Sequence, residues 1–472
     1  MISNKIILFP VEVKSRELDS KIILAMHVIN HLRSKVDIII GKSSEVNKFL
    51  KSGIKKPFIY FANGLDNDEI FYRDINKNNG KFFFLDEEGA ITSKTTEDKY
   101  PRIKTNHPCF RFADKYYFWG GVSQKDLRIR QSDYVADKSL ISGNLRIELS
   151  KPKYFRYFNS YYSENKLKNY ILINTAFGVA NPIVDTQTEV NHWKNKKNSA
   201  NIEGNLLAPL NYQRKLLKLF LMGIKKLIKN NPNEEFILRP HPGENILYYQ
   251  NELLDYKNLK IIKSGPVQMW IANCKFMIHP GCTTAIESFF SEKNSICYAP
   301  IFDKDHIQML PYQISQKAKT YDELNDYFIS NLNNSKKNYE KNKYNNLLII
   351  KPYIFNVDNN SFEIITKDLV STNIQNIKKF YQEIGYTWKD YIPKVIKNFY
   401  NYIKHKIKLS LNQNNINQLI LLNEKDKLKF DHLHLDELNK KINIFKQMQN
   451  YTFDINIKSI DKNTYILTAS DD

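Results

Sequence analysis

Two short segments carry side chains of the kinds that hold anions and move protons. The stretch EFILRPHPGEN places Arg239, His241 and Glu244 directly after the apolar run Phe236 to Leu238. The stretch CKFMIHPGCTTAIE repeats the arrangement, with His279, Gly281, Thr283 and Thr284 after an apolar run, and Glu287 four residues beyond Thr283. Arginine offers a rigid fork to phosphate or carboxylate, and histidine serves as acid, base or neutral donor near neutral pH. Gly281 lets the backbone approach closely, and the two threonines are expected to cap a helix whose free N–H groups suit a phosphate. Glu287, one turn deeper on the same face, is placed to accept hydrogen bonds from a ribose diol. Each feature also has an ordinary structural reading, because threonine caps and histidines beside prolines often only fix turns. Finding both segments at neighbouring strand ends favours a site for an anionic ligand.

Both segments read as strand, turn and helix, and in an open α/β sheet ligands lie beyond the carboxyl ends of parallel strands. The same rhythm opens the chain. A strand over Lys5 to Pro10 leads to a helix from about Ser20 to Leu32, a strand over Val36 to Ile40, and further strands in PFIYFANG, KFFFLDEEG, KYYFWGG and SLISGNLRIEL. This alternation argues for parallel sheets with covering helices. The first strand end holds Glu12, Arg16, Glu17 and Asp19. They make either a solvated turn or the place where a two-domain enzyme sets a general base, for which Glu17 is preferred, and acceptor-side groups. After a polar, aromatic hinge, Tyr170 to Ile173 is expected to open a second domain, with Asn174, Thr175, Phe177 and Gly178 at the crevice. Residues 182–205 read as an insertion or a mobile loop, and Gln213 to Lys229 as a packing helix. The expected domains are residues 1–160, residues 165–345 and a basic, helical extension over residues 346–472.

A chain of 472 residues is too long for one ordinary core, and 42% hydrophobic with 13% aromatic residues is ample for two. The net charge of +20 favours anionic partners such as nucleotides or acidic lipid. Nucleic acid is not expected, because no zinc-finger spacing, RNP-like motif or compact arginine cluster is present. Cys109, Cys274, Cys282 and Cys297 form no C-x-x-C pair, which suits a reducing cytoplasm. No signal peptide and no transmembrane span are read, and no Asp-x-Asp stands at a strand end to call for a metal.

The residues VEVKSRELDSKIILA, YFWGG, ISGNLRIEL, FILRPHPGEN and IHPGCTTAIES resemble the bacterial surface carbohydrate biosynthesis protein family. More distantly they resemble GT-B-like glycosyltransferases of capsule and O-antigen synthesis, including Kdo transferases. The likeness runs from about residue 5 to 315. It implies an α/β protein with two Rossmann-like domains facing a crevice and a mostly helical C-terminal extension. The implied activity is transfer of a sugar, with a CMP-linked ulosonate as the first guess, to a cell-surface or lipid-linked glycan. Arg239, Glu244, His279, Gly281, Thr283, Thr284, Glu287 and Thr175 would then face the nucleotide-sugar donor, Glu17 and His241 the chemistry, and Glu12, Arg16 and Asp19 the acceptor. No cofactor or metal is implied. A nucleotide-sugar epimerase, a CDP-polyol phosphotransferase and a non-catalytic sugar- or nucleotide-binding protein stay open as alternatives. The cation-rich helical stretch after residue 373 reads as a core cover, as a contact with the acidic inner face of the membrane, or as an oligomer contact. The oligomeric state is not read from the sequence.

Overall fold

The apolar runs that end in polar turns form two sheets. The computed structural model describes residues 5–51, 56–62, 71–72, 75–76, 78, 80–85, 87, 112–130, 138–162, 167–183, 207–374 and 429–469. Strands β1 (Lys5–Val11), β2 (Val36–Lys42), β3 (Phe58–Ala62), β4 (Gly80–Leu85), β5 (Lys115–Phe118) and β6 (Ser139–Ile141) are parallel. The second sheet is parallel throughout, from β7 (Tyr170–Asn174), β8 (Phe236–Arg239), β9 (Leu259–Ile261), β10 (Cys274–His279), β11 (Ser295–Tyr298) and β12 (Gln316–Ala318). A hairpin of β13 (Ile455–Asp461) and β14 (Thr464–Ala469) joins the first sheet antiparallel to β2.

The strand orders are β13-β14-β2-β1-β3-β4-β5-β6 and β12-β11-β10-β7-β8-β9. Chain direction across the sheet therefore reverses between β1 and β3 in the first and between β7 and β10 in the second, the two points where open α/β sheets bind ligands. Residues of β1, β3, β7, β8 and β10 are buried almost without break, as expected when helices cover both faces. The architecture is the expected one: two Rossmann-like sheets whose strand ends face each other, followed by a mostly helical C-terminal part.

That C-terminal part returns to the first sheet. The helix Tyr321–Ile350, kinked at Asn334, starts beside the second sheet, and the helices Ser361–Ser371 and Leu435–Gln449 pack on the helix Lys14–Leu32. Lys5 fixes the first of them by donating from Nζ to the carbonyls of Leu369, Val370 and Thr372 at 2.9, 3.0 and 2.8 Å, a cation on the open carbonyls of a helix end. The hairpin was not expected from sequence. Its turn is clamped by buried Glu45, which accepts from Asn463 N, Asn463 Nδ2 and Thr464 Oγ1 at 2.8, 2.7 and 3.1 Å. It covers an edge of β2 that would otherwise offer unpaired backbone groups. The cation-rich stretch from residue 375 to 428 and residues 184–205 of the expected insertion lie outside the described residues.

One apolar cluster spans both sheets, running from Ile7 and Trp119 through Leu145 and Ile147 to Trp270, Ile286 and Phe289. Ser291 Oγ donates to Ser150 O at 2.7 Å and Asn273 Nδ2 to Asn159 Oδ1 at 2.9 Å across the same junction. Among the described residues no helix is long and apolar enough to cross a membrane.

Candidate functional site at the facing strand ends

Strand β7 lies between β8 and β10, so the turns after Arg239 and His279 flank the end of β7 at Asn174 and Thr175. The two turns are built differently. After β8, Glu244 is fully buried and its carboxylate accepts from Thr175 Oγ1 at 2.6 Å, from Phe177 N at 2.6 Å and from the Tyr249 hydroxyl. This ties the end of β7 to the turn after β8. Burial pushes the Glu244 carboxyl up to about 7, against the pull of those donors. His241 Nδ1 accepts from Gly243 N at 3.1 Å and stands over the Gly178 turn.

After β10, both nitrogens of fully buried His279 are engaged. Nδ1 accepts from Gly281 N and Cys282 N, each at 3.0 Å, which assigns the ring proton to Nε2, 2.9 Å from Ser315 Oγ. Burial pushes the imidazole down to about 3, so it stays neutral and shapes the turn rather than reaching out of it. Gly281 has a φ of +103°, and a Cβ there would lie 2.8 Å from Ile307 Cγ1, so both backbone and space require glycine. The expected threonine cap is not made: Thr283 occupies the cap position of the helix Thr284–Phe290 in an αR conformation with no side-chain hydrogen bond.

Glu287 on that helix is 2% exposed, and its Oε1 lies 3.1 Å from Arg146 Nε in an ion pair that bridges the two sheets. Burial pushes its carboxyl up, and Arg146, then Arg16 and Arg239, pull it back down. Three guanidinium groups thus act on one carboxylate. Glu287 Oε2, Arg239 Nε and Arg146 Nε are all buried without a hydrogen-bond partner, as is Thr284 Oγ1, which stands against the Cys282 thiol. Arg239, 7% exposed, donates from Nη2 to Gly265 O, and burial lowers its pKa to about 10 against the opposing pull of Glu287, which leaves it charged at neutral pH.

Arg146 was not among the expected site residues. It sits on the short helix Leu145–Glu148, whose cap Asn144 accepts from Arg146 N and Ile147 N at 2.8 and 3.1 Å. Asn356 holds this turn by accepting from Asn144 N at 2.7 Å and donating to Asn144 O and Glu148 Oε2, each at 3.0 Å. Gly143, at φ +75°, leaves room for Asn356 Oδ1, which would be 2.4 Å from a Cβ. The available signal was a Gly-Asn turn followed by an arginine within the apolar run LRIEL.

The charged residues after β1 divide. The helix Lys14–Leu32 begins six residues before the expected start at Ser20, so Arg16, Glu17 and Asp19 are helical rather than parts of a turn. Glu17 is buried and accepts from Glu12 N at 2.9 Å and Val13 N at 3.2 Å, satisfying N–H groups that a helix start leaves open. Asp19 faces the helical packing instead of the crevice, with Lys441 Nζ at 2.6 Å and the Tyr157 hydroxyl at 2.7 Å. Glu12 pairs with Lys429 at 2.6 Å near the surface. Buried Glu87, just after β4, was also unexpected: it adds negative charge beside Glu17 and Glu287 and lies 3.4 Å from Asn144 Nδ2. Among the described residues no group of three or more His, Cys, Asp or Glu is placed to hold a metal.

No protein-family model matches the chain, and no curated protein matches it. Among solved structures it is similar to UDP-GlcNAc 2-epimerase of Neisseria meningitidis bound to UDP-GlcNAc, at 12% identity, covering 78% of this chain and 100% of that one, with a TM-score of 0.47. It is similar to UDP-GlcNAc 2-epimerase of Methanocaldococcus jannaschii at 13% identity, covering 78% and 100%, with a TM-score of 0.45. It is also similar to the wall teichoic acid polymerase TagF at 10% identity, covering 79% and 90%, with a TM-score of 0.48. At these identities and TM-scores neither substrate nor chemistry carries over to this chain.

Proposed function

We propose that this protein is a nucleotide-sugar enzyme whose ligand lies across the ends of β7 and β10. The observation that carries the reading is Arg239 Nε, Glu287 Oε2 and Thr284 Oγ1, three of five buried polar atoms without a hydrogen-bond partner about one chain-reversal point, the others being Asn174 Oδ1 and Arg146 Nε. Buried polar groups are nearly always satisfied, and leaving one unmet costs about 1 to 3 kcal/mol. A ligand carrying both anionic oxygens and hydroxyls would meet all three. Arg239 suits its phosphate, and Glu287 its ribose hydroxyls. The arginines around Glu287 also favour a sugar that bears a carboxylate, such as an ulosonate.

The first chemistry to consider is sugar transfer to a glycan acceptor, as the motif resemblance implies. A specific observation favours epimerisation as a second reading. Glu17, the carboxylate expected to deprotonate an acceptor, already receives hydrogen bonds from Glu12 N and Val13 N. His241, at the edge of the crevice, is then the group to examine for proton movement. Titration of the protein with CMP-, UDP-, GDP- and CDP-linked sugars and polyols tests the reading. Binding of at least one is expected, and binding of none by folded protein contradicts it. Incubation of the bound compound with and without a glycan acceptor then separates the chemistries. Acceptor-dependent release of nucleotide marks transfer, inversion of the sugar without an acceptor marks epimerisation, and no product marks a binding protein.

A further inference from the structure

We infer that Arg146 is a positioning residue for this site: it holds one oxygen of Glu287 and thereby turns the other toward the hydroxyls of the bound nucleotide. The inference rests on the proposed nucleotide reading and adds that the second sheet's site is complete only with the arm from the first sheet docked on it. Arg146 is 6% exposed, and its Nε stands 3.1 Å from Glu287 Oε1, whereas Oε2 is sealed from water and has no partner. The contact is an ion pair without hydrogen-bond geometry, and it draws one oxygen of the carboxylate toward the first sheet, which leaves the other turned away from the domain junction.

The arm is built to keep Arg146 in place. Asn144 caps its helix, Asn356 fastens the cap, and Glu148 on the same helix is held by Lys151 at 2.9 Å and Lys153 at 2.8 Å. From the other side, Gln268 Nε2 donates to Arg146 O at 3.4 Å, so the second sheet's own elements grip the arm. Arg146 is also the largest of the charges that oppose the effect of burial on Glu287. A lysine would retain charge at this position but not the rigid, planar guanidinium whose Nε stands beside Glu287 Oε1.

The consequence is that a first-sheet residue governs how well the site distinguishes a ribose from a 2′-deoxyribose. The test is calorimetric titration with CMP, CDP, UDP and GDP and with their 2′-deoxy counterparts, on wild type, R146M, R146K and E287Q, each checked by its thermal melt. Wild type should prefer the best-bound ribonucleotide by about ten-fold or more, the size of a hydrogen bond to a charged group. In R146M and in E287Q that ratio should fall toward one, through loss of ribonucleotide affinity rather than gain of deoxynucleotide affinity. R146K should show a ratio clearly below wild type, so it decides the question if R146M does not fold. A wild-type ratio in folded R146M or R146K overturns the inference and leaves the nucleotide reading intact. Nucleotide binding by wild type with no ribose preference also overturns it alone. Failure of all four ribonucleotides to bind wild type overturns the nucleotide reading and this inference together.

Discussion

Glu244 and Glu287 are sealed from water to the same degree, at 0% and 2% exposure, yet they are equipped for different tasks. Glu244 is saturated by the Thr175 hydroxyl and Phe177 amide after β7 and by the hydroxyl of Tyr249 on the helix Ile246–Glu252. Glu287 is attended by three arginines and keeps one oxygen without a partner. Burial of a charged group therefore does not by itself mark a binding site. What separates the two is whether the surroundings already satisfy the group, because a saturated carboxylate holds structure and an unsatisfied one is open to a ligand.

The largest effect should come from removing the saturated member. Glu244→Ala leaves the Thr175 hydroxyl, Phe177 N and the Tyr249 hydroxyl buried without an acceptor, and a loss of about 3 to 5 kcal/mol is expected in urea unfolding. A loss under about 1 kcal/mol would break the contrast at its structural end. The pH dependence carries the same information. The Glu244 carboxyl is raised from 4.5 to about 7, so the folded state retains a proton that the unfolded chain releases. Its contribution is fully present below about pH 4.5 and is lost as pH rises through about 7. Wild type should therefore lose about 3 kcal/mol relative to Glu244→Gln across that window. Parallel stability curves for the two proteins would show that Glu244 does not titrate there.

Asp19 sharpens the comparison from the first sheet. It is another buried carboxylate with its partners in place, so Asp19→Ala should cost about 3 kcal/mol by stranding Lys441, while nucleotide affinity stays unchanged. A selective loss of affinity in a fully stable Asp19→Ala protein would return Asp19 to the crevice. The smallest effects separate the two helix caps. Asn144→Ala should cost about 1 kcal/mol or more, because it removes the acceptor for Arg146 N and Ile147 N. Thr283→Ala should change stability by less than about 0.5 kcal/mol, since Thr283 makes no cap hydrogen bond. Equal losses in thermal melts of the two variants would mean that Thr283 caps in solution.

The fold was legible where apolar runs end in turns: β1, β2, β7, β8 and β10 coincide with runs readable by eye. The two turns after β8 and β10 were legible as flanking features for the same reason, and Arg239 and Glu287 act on each other's charge there. The start of the first helix was not. Its charged residues look solvated until Asp19 finds Lys441, 422 residues away, and Glu17 folds back on its own backbone. Arg146 was obscure because it belongs to the other sheet and only docking brings it to Glu287. The hairpin of β13 and β14 alternates in sequence around Asp461-Lys462-Asn463, but its edge position and many exposed residues mask the pattern of a buried strand.

On the proposal that an anionic ligand completes the unsatisfied cluster, Arg239 is the group whose removal tests it most directly. The measurement is the dissociation constant of the best-bound nucleotide-sugar for wild type and for folded Arg239→Ala, taken under identical salt. A weakening of about ten- to hundred-fold is expected, the size of one charge-assisted hydrogen bond. An unchanged constant in a protein with wild-type thermal stability would contradict the assignment of the ligand to these strand ends.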